Sequence, residues 1–185
     1  GANLDGANLA NTNLTNADFT NSILSGVSSG GITGTPSSLP GSWRLTNGYL
    51  IGPGANLRDA NLFGFDLEGS DLRGANLTNA DLRGASIDHA NLEGANLDGV
   101  KSGGTLGIPE SLPARWTLTG SYLIGPKAVI TGLDLSETDL TGVSSGGLIG
   151  VPASLPESWS LISGYLVGPG ANLENSNFAN VNLNL

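Results

Sequence analysis

The residues that most often carry out catalysis are scarce in this chain. Its 185 residues include one histidine, His89, and no cysteine. A metal site would therefore have to consist of oxygen ligands alone. A serine–histidine–aspartate triad needs a histidine held by a carboxylate, but His89 occupies an outward position of a repeat described below. The sequence predicts a protein that is not an enzyme, with no catalytic, cofactor-binding or metal-binding residues.

Two recurring polar features also predict no chemistry. Aspartates stand at one repeat position, where they alternate freely with asparagine. Because an amide cannot replace a carboxylate in proton transfer, this interchange indicates a role in hydrogen bonding or solvation. A Ser-Gly-Gly run begins at Ser29 and recurs twice. It lacks the lysine and the helix context of a phosphate-binding loop.

Six aromatic residues recur at matching places and are the candidate interaction residues. They are Trp43, Tyr49, Trp116, Tyr122, Trp159 and Tyr165. Two roles are open: recognition platforms for a partner, or the small cores of hairpins clamped against the rest of the protein. The second is favoured by Ile23 and Val129, outward β-branched residues beside these segments, which indicate a covered surface there.

A five-residue period positions all of these residues. Large apolar residues stand at the centres of 20 repeats, and 16 of these centres are leucine. Alanine stands two residues before 12 centres, and Asn or Asp stands one residue before 17. A period of five matches neither a helix nor a strand. A chain that turns a corner every five residues satisfies it, with the centre and the residue two before it pointing inward.

The repeats resemble those of a known family. Segment 74–83 reads G-A-N-L-T-N-A-D-L-R, which is similar to the A-(D/N)-L-x-x pattern of pentapeptide-repeat proteins. The resemblance implies an all-β fold, a right-handed quadrilateral parallel β-helix or solenoid. Four sides would close a coil of about 20 residues, and coils would stack at roughly the 4.8 Å spacing of strands.

The repeats fall into four blocks separated by three segments that align with one another. The predicted blocks are 2–26, 55–99, 128–142 and 171–185, and the predicted inserted modules are 27–53, 100–126 and 143–169. Each module carries a hairpin signal, Asn47-Gly48 in the first, which would place Leu45 beside Leu50 and Trp43 opposite Gly52. Nine repeats separate the first two modules and three separate the last two. If each module replaces the same number of sides, the two gaps differ by six sides, which is one and a half turns of a four-sided coil. The modules therefore cannot all lie on one face.

Stacking at 20-residue intervals also predicts individual side-chain placements. Arg73 would lie beside Glu93, an oppositely charged residue on the next coil. Phe65 is too large for a position that is alanine in most repeats. We expect Phe65 to fill a gap left by the first module, and Leu133 to do the same after the second.

Charge and hydropathy limit the classes of partner that the chain could bind. With 16 acidic and 7 basic residues the net charge is −9, so no nucleic-acid partner is expected. No apolar run approaches the ~20 residues of a membrane span. The predicted function is a non-enzymatic structural or protein-interaction scaffold without a cofactor, whose partner the sequence does not name. The resemblance also implies an alternative, an acidic DNA mimic that binds DNA gyrase or another DNA-binding protein.

The ends of the chain indicate an excised or processed piece of a longer solenoid. The chain begins at Gly1 within a repeat and contains no methionine. The sequence predicts neither a compartment nor an oligomeric state.

Overall fold

The computed structural model describes residues 1–183. Asn184 and Leu185, the end of the last predicted block, lie outside the described residues. Within 1–183 the regular structure consists of six short strands and a ladder of isolated parallel bridges, without a helix. The all-β prediction is confirmed. In that range no helix is long and apolar enough to cross a membrane.

The parallel bridges join residues 20 positions apart. Asn56 pairs with Asn76, and Asn76 pairs with Asn96. Each bridge is closed by hydrogen bonds on both sides: the Leu77 amide donates to Asn96 at 2.8 Å, and the Asn96 amide donates to Ala75 at 2.9 Å. Bridge residues recur every five positions, so one coil contains four of them. The chain thus returns to the same place after 20 residues, as in a β-helix.

A tight turn joins each side of a coil to the next. In one such corner the Ala60 amide donates to the Leu57 carbonyl at 3.1 Å, and Asp59 between them has φ 56°. A positive φ at the third residue is what a type II turn requires, and glycine and asparagine adopt it at the lowest cost. This explains why glycine and asparagine are common at the corner. His89 occupies such a corner, with φ 53° and an exposed side chain.

The core lies inside the coils, where the centre and the residue two before it point inward as predicted. Between Leu57 and Leu97 every centre is at most 1% exposed. Burying each of these side chains stabilises the fold by ~1.5–3 kcal/mol. Burial decreases toward both ends: Leu4 is half-buried and Leu183 is exposed, because no described coil stacks over them.

The ladder continues into the segments that were predicted as inserted modules. Ser28, Thr33 and Ser38 each pair with the residue 20 positions earlier. In this coil the large residues Val27 and Ile32 occupy the position that is usually alanine, and both are buried. The centres that follow them are small, namely Ser29 and Gly34. Large and small side chains have exchanged places, so each side still holds one of each.

Three antiparallel hairpins complete the fold. Their strands are β1 (Arg44–Thr46), β2 (Tyr49–Ile51), β3 (Thr117–Thr119), β4 (Tyr122–Ile124), β5 (Ser160–Ile162) and β6 (Tyr165–Val167). Leu45 pairs with Leu50, as predicted. Asn47 and Gly48 both have positive φ, which defines a type I′ turn, whereas Gly120 alone is positive in the second hairpin, as in type II′.

Each hairpin occupies one side of a coil. Ser28 pairs with Asn56, 28 residues later instead of 20, so the side with the first hairpin adds eight residues to the coil. Lys101 with Val129 and Ser144 with Asn172 have the same 28-residue spacing. Counting bridge positions from these pairs puts the first and third hairpins on one side and the second on an adjacent side. This agrees with the prediction that the three cannot share one face.

Candidate functional site

The candidate tryptophans pack face-on against a strand glycine of their own hairpin. A Cβ added at Gly52 would lie 2.3 Å from Cδ2 of Trp43. The same distance separates such an atom at Gly125 from Trp116, and one at Gly168 from Trp159. No Cβ approaches an aromatic carbon that closely, so only glycine fits beneath the indole. The arrangement matches the prediction that Trp43 faces Gly52.

The candidate tyrosines lie against the Ser-Gly-Gly run, which gives that run its role. The Tyr49 ring would be 3.1 Å from a Cβ at Gly30. Beside it, the Ser29 hydroxyl accepts a hydrogen bond from the Leu50 amide at 2.9 Å. At the hairpin tip the Ile32 amide donates to the Gly48 carbonyl at 3.1 Å. The hairpin therefore lies along its coil and is bonded to it at both its middle and its tip.

All six candidate aromatic residues are half-buried, and each packs against the interior of the coils. Trp43, Tyr49 and Trp116 contact the central core cluster, while Tyr122 and Trp159 contact the C-terminal one. Tyr165 packs against Phe178, with ring centroids 4.8 Å apart. These contacts support the interpretation of the rings as hairpin cores, and their role in partner binding stays a prediction. The covered surface inferred from Ile23 is wrong, because Ile23 is 52% exposed.

Phe65 contacts the first hairpin. Its ring meets that of Tyr49 edge-on, with centroids 5.8 Å apart, and it is half-buried against the central core cluster. Leu133 contacts the C-terminal cluster in the same way. An oversized inward residue thus follows the first two hairpins and packs at the junction between hairpin and coil, although Phe65 is less deeply buried than the gap-filling prediction implied.

Arg44 was not singled out by its sequence. Its guanidinium donates to the Glu68 carbonyl at 2.9 Å, to the Asp66 carbonyl at 3.3 Å and to the Ser70 hydroxyl. Its Nε is buried without a hydrogen-bond partner. The only sequence signal is that the matching positions of the other hairpins are Thr117 and Ser160. Arg44 ties the first hairpin to the coil that follows it.

The outward Asn and Asp residues bond to their own backbone. The Asn3 side chain accepts a hydrogen bond from the Asp5 amide at 3.0 Å, and Asp66 accepts one from Glu68 at 3.0 Å. Either residue type supplies the oxygen that this turn needs, which accounts for their interchange.

Arg73 bonds Asp71 at 2.7 Å. Because Asp71 pairs with Asn91, Arg73 and Glu93 lie on the same side of adjacent coils. The hydrogen bond and the charge of Asp71 and, more weakly, the charge of Glu93 raise the pKa of Arg73. The predicted placement beside Glu93 is confirmed, although the direct ion pair is with Asp71.

A serine in each hairpin-bearing coil donates to the residue 20 positions earlier. Ser38 bonds Asp18, and Ser154 bonds Asp134. In the second copy Ser111 bonds Asn91 at 2.6 Å. The hydrogen bond from Ser38, with those from Thr20, lowers the pKa of Asp18 to about 2. Ser154 and then Ser136 lower the pKa of Asp134 in the same direction.

The described residues bring few other chemical groups together. Across 1–183 no group of three or more His, Asp or Glu side chains could hold a metal ion. His89 is exposed and lies 3.1 Å from Asp88. Two shallow cavities of about 300 and 310 Å³ open on the surface, the first beside Lys101 and the second beside Asp71.

The fold and these contacts define a β-helical repeat protein. Residues 1–28 and 55–94 match the family model for pentapeptide repeats, in eight copies. These two segments therefore consist of pentapeptide repeats, and the resemblance predicted from the sequence is confirmed for them. Comparison with curated proteins gives no match, and comparison with solved structures gives none.

Proposed function

We propose that the chain is a right-handed, four-sided β-helix with three hairpin-bearing coils, and that it serves as a non-enzymatic scaffold for protein binding. The observation that carries the proposal is the ladder of bridges, which pairs residues 20 or 28 positions apart from Asn3 to Asn172. Stacked repeats of this kind present outward side chains in rows about 4.8 Å apart. Rigid rows of side chains suit the binding of a protein surface.

The hairpins support this proposal because their aromatic residues serve packing. Each tryptophan lies on a glycine, and each tyrosine lies on a Ser-Gly-Gly run. Because these rings are already packed, the sides of the β-helix between the hairpins offer the larger free surface for a partner.

The charge distribution speaks against the alternative of a DNA mimic. A mimic of that kind has to replace the phosphate charges of a duplex, about one per 1.7 Å of helix axis. Asp81 is the one carboxylate among the described bridge-row side chains on the side that bears Lys101, and Arg83 binds it at 2.6 Å. That side therefore offers no row of free acids, and the whole chain carries a net charge of only −9 to distribute over the other sides.

Photo-crosslinking tests the scaffold proposal. A photoreactive residue would replace one outward residue per side: the half-buried Thr78, or the exposed Thr131, Ser136 or Glu93. We expect a discrete protein to be captured from native extract by one or two sides and lost when Leu77→Asp unfolds the same chain. Capture that is equal for folded and unfolded chains would overturn the proposal, and so would no capture at all. Inhibition of purified DNA gyrase by the folded chain would favour the alternative.

A further inference from the structure

One side of the coils differs in chemistry from the rest of this acidic protein. Its bridge residues form an unbroken row of pairs: Asn61, Asp81, Lys101, Val129 and Ile149. We call this surface the Lys101 face. It consists of that row and the residues two positions after its members: Phe63, Arg83, Gly103, Thr131 and Val151. Five coils at ~4.8 Å give the face a length of about 19 Å.

The Lys101 face is cationic although the protein carries a net charge of −9. Its one carboxylate is Asp81, which Arg83 holds through two hydrogen bonds of 2.9 and 2.6 Å. Lys101 is exposed and takes part in no ion pair with any residue of 1–183. Asp81, on the adjacent coil, attracts the Lys101 ammonium without contacting it, so the face presents one ammonium group that no carboxylate binds directly.

The same face exposes apolar side chains at both ends. Phe63 is 61% exposed at one end, while Ile149 and Val151 are 46% and 69% exposed at the other. The Arg83 guanidinium lies 5.8 Å from the centroid of the Phe63 ring, close enough for a cation–π contact that holds the ring in place. Exposed apolar groups around a cation are the composition of a protein-binding surface.

A cavity lies between these apolar ends. It has a volume of about 300 Å³ and is lined by Arg83, Lys101, Ser102, Val129, Thr131 and Leu133. Its lining includes two cations, which lie on the coils of Asp81 and Lys101, and aliphatic side chains from the next coil, that of Val129. A carboxylate with an attached hydrocarbon chain, as in glutamate, fits both halves of this lining.

We propose that the Lys101 face docks an extended acidic segment of a partner protein. A glutamate or aspartate of that segment would enter the cavity beside Lys101, and apolar side chains on either side of it would cover Phe63 and Val151. At ~3.3 Å per residue, a face of about 19 Å accepts roughly six extended residues. The inference rests on the proposed scaffold function and names the chemistry of its partner.

The charges favour a protein segment over a phosphate-bearing partner. Nucleic acids are held by many phosphate contacts, and anionic membranes by clusters of four to eight basic residues. The Lys101 face offers two cations, one of which already binds Asp81, and the remaining surface repels polyanions. One free cation between apolar groups matches a segment with few acids.

The test uses the purified chain and synthetic hexapeptides that alternate glutamate with leucine or phenylalanine. Amide NMR shifts would report the binding site. We expect shifts around Lys101, Phe63 and Val151, and binding at least roughly tenfold weaker when glutamine replaces every glutamate, since hydrogen bonds between ions are the strong ones. Lys101→Glu should remove the binding. Arg58→Glu, an equal change of charge on an adjacent side, should retain it.

Several outcomes would overturn the inference. They are equal binding of the glutamine peptides, shifts confined to another side, an unchanged affinity in Lys101→Glu, or no binding by any peptide. Binding of a 12-base-pair duplex or of phosphatidylserine vesicles through Lys101 would replace the protein segment with a polyanion. A concentration-dependent dimer that Lys101→Glu disrupts would make a second copy the occupant. If photo-crosslinking captures a partner only at Thr78, Ser136 or Glu93, the scaffold stands and the Lys101 face fails.

Discussion

The regular block 55–99 and the hairpin-bearing coils solve the same packing problem in two ways. In the block, a large centre such as Leu77 stands beside a small residue such as Ala75, and both are fully buried. In the hairpin-bearing coils, Val100 is the large residue and Ser102 the small centre, and they are equally buried. The interior requires one large and one small side chain per side. It does not require a fixed order.

The two regions differ more in what they add to the core. The block relies on stacked coils alone. Each hairpin-bearing coil adds a two-stranded ribbon whose indole lies on a glycine and whose backbone bonds a serine hydroxyl. The following predictions test where each region tolerates change, from the largest expected effect to the smallest.

Leu77→Asp should unfold the block. The side chain is fully buried between coils, so the substitution leaves an unpaired polar group in the core and costs about 4 kcal/mol or more. Urea unfolding would measure the loss. Leu106→Asp is the matched control, because Leu106 is an exposed leucine in a hairpin-bearing coil, and it should change stability by less than about 0.5 kcal/mol. Equal losses would contradict the inward and outward assignment.

Exchanging aromatic and alanine residues tests the limits of the interior. Ala85→Phe places a ring in a fully buried site of the regular block and should cost ~1–3 kcal/mol or more. Phe65→Ala removes the ring that meets Tyr49 and should cost about 2 kcal/mol, since Phe65 is half-buried. Phe63→Ala, the same change at an exposed ring, is the control. Equal losses of melting temperature in Phe63→Ala and Phe65→Ala would refute a stabilising contact between Phe65 and the first hairpin.

Glycine is required for different reasons in the two regions. Gly52→Ala would drive a methyl group into the Trp43 ring and should cost ~1–3 kcal/mol by overpacking. Gly64→Ala meets open space but keeps φ near 66°, so only backbone strain of about 1 kcal/mol applies. Trp43→Leu should recover part of the stability lost in the Gly52→Ala background. It should recover none of the stability lost in the Gly64→Ala background. A double-mutant cycle with no coupling would show that the indole is not the cause.

The serine–aspartate hydrogen bonds of the hairpin-bearing coils predict that the stability of the fold decreases at acidic pH. Because the pKa of Asp18 falls from 3.8 to about 2 on folding, its ionised form stabilises the fold above pH 3.8. That contribution is lost as the pH falls toward 2. The lowered pKa of Asp134 acts in the same sense. Asp18→Asn with Asp134→Asn copies the natural Asn91–Ser111 pair.

The double variant should match the natural chain at pH 7 and lose less stability between pH 4 and pH 2. Melting temperatures across this range would measure the difference. Parallel curves for the two proteins would mean that these carboxylates do not contribute to the acid dependence.

Much of the fold could be predicted because each signal is local and repeated. The five-residue spacing around Leu77 predicted the burial, and Asn47-Gly48 predicted the hairpin and its register. The continuation of the ladder through Ser28 and Thr33 was not predicted, because these sides lack the large centre preceded by alanine that marks the regular repeats. The signal was present, since Val27 and Ile32 keep the same spacing two residues before each centre.

The candidate site was less predictable. Arg44, Lys101 and Phe63 have no partner within a few residues that would reveal their role. They acquire it from residues 20 or more positions away, such as Glu68 for Arg44 and Arg83 for Phe63. The counting of 20 residues per coil placed Arg73 beside Glu93, but it did not show that Asp71, two residues away, would form the direct ion pair.

The sequence by itself determined the coil, because turn geometry and the alternation of large and small side chains act within five residues. It also determined where the hairpins form and, by counting, that they cannot share one side. Only the tertiary structure decided which outward side chains become neighbours. Eight extra residues in each hairpin-bearing coil restore the register after the interruption. They thereby align Lys101 with Val129 and place cations and apolar groups from five coils on one surface.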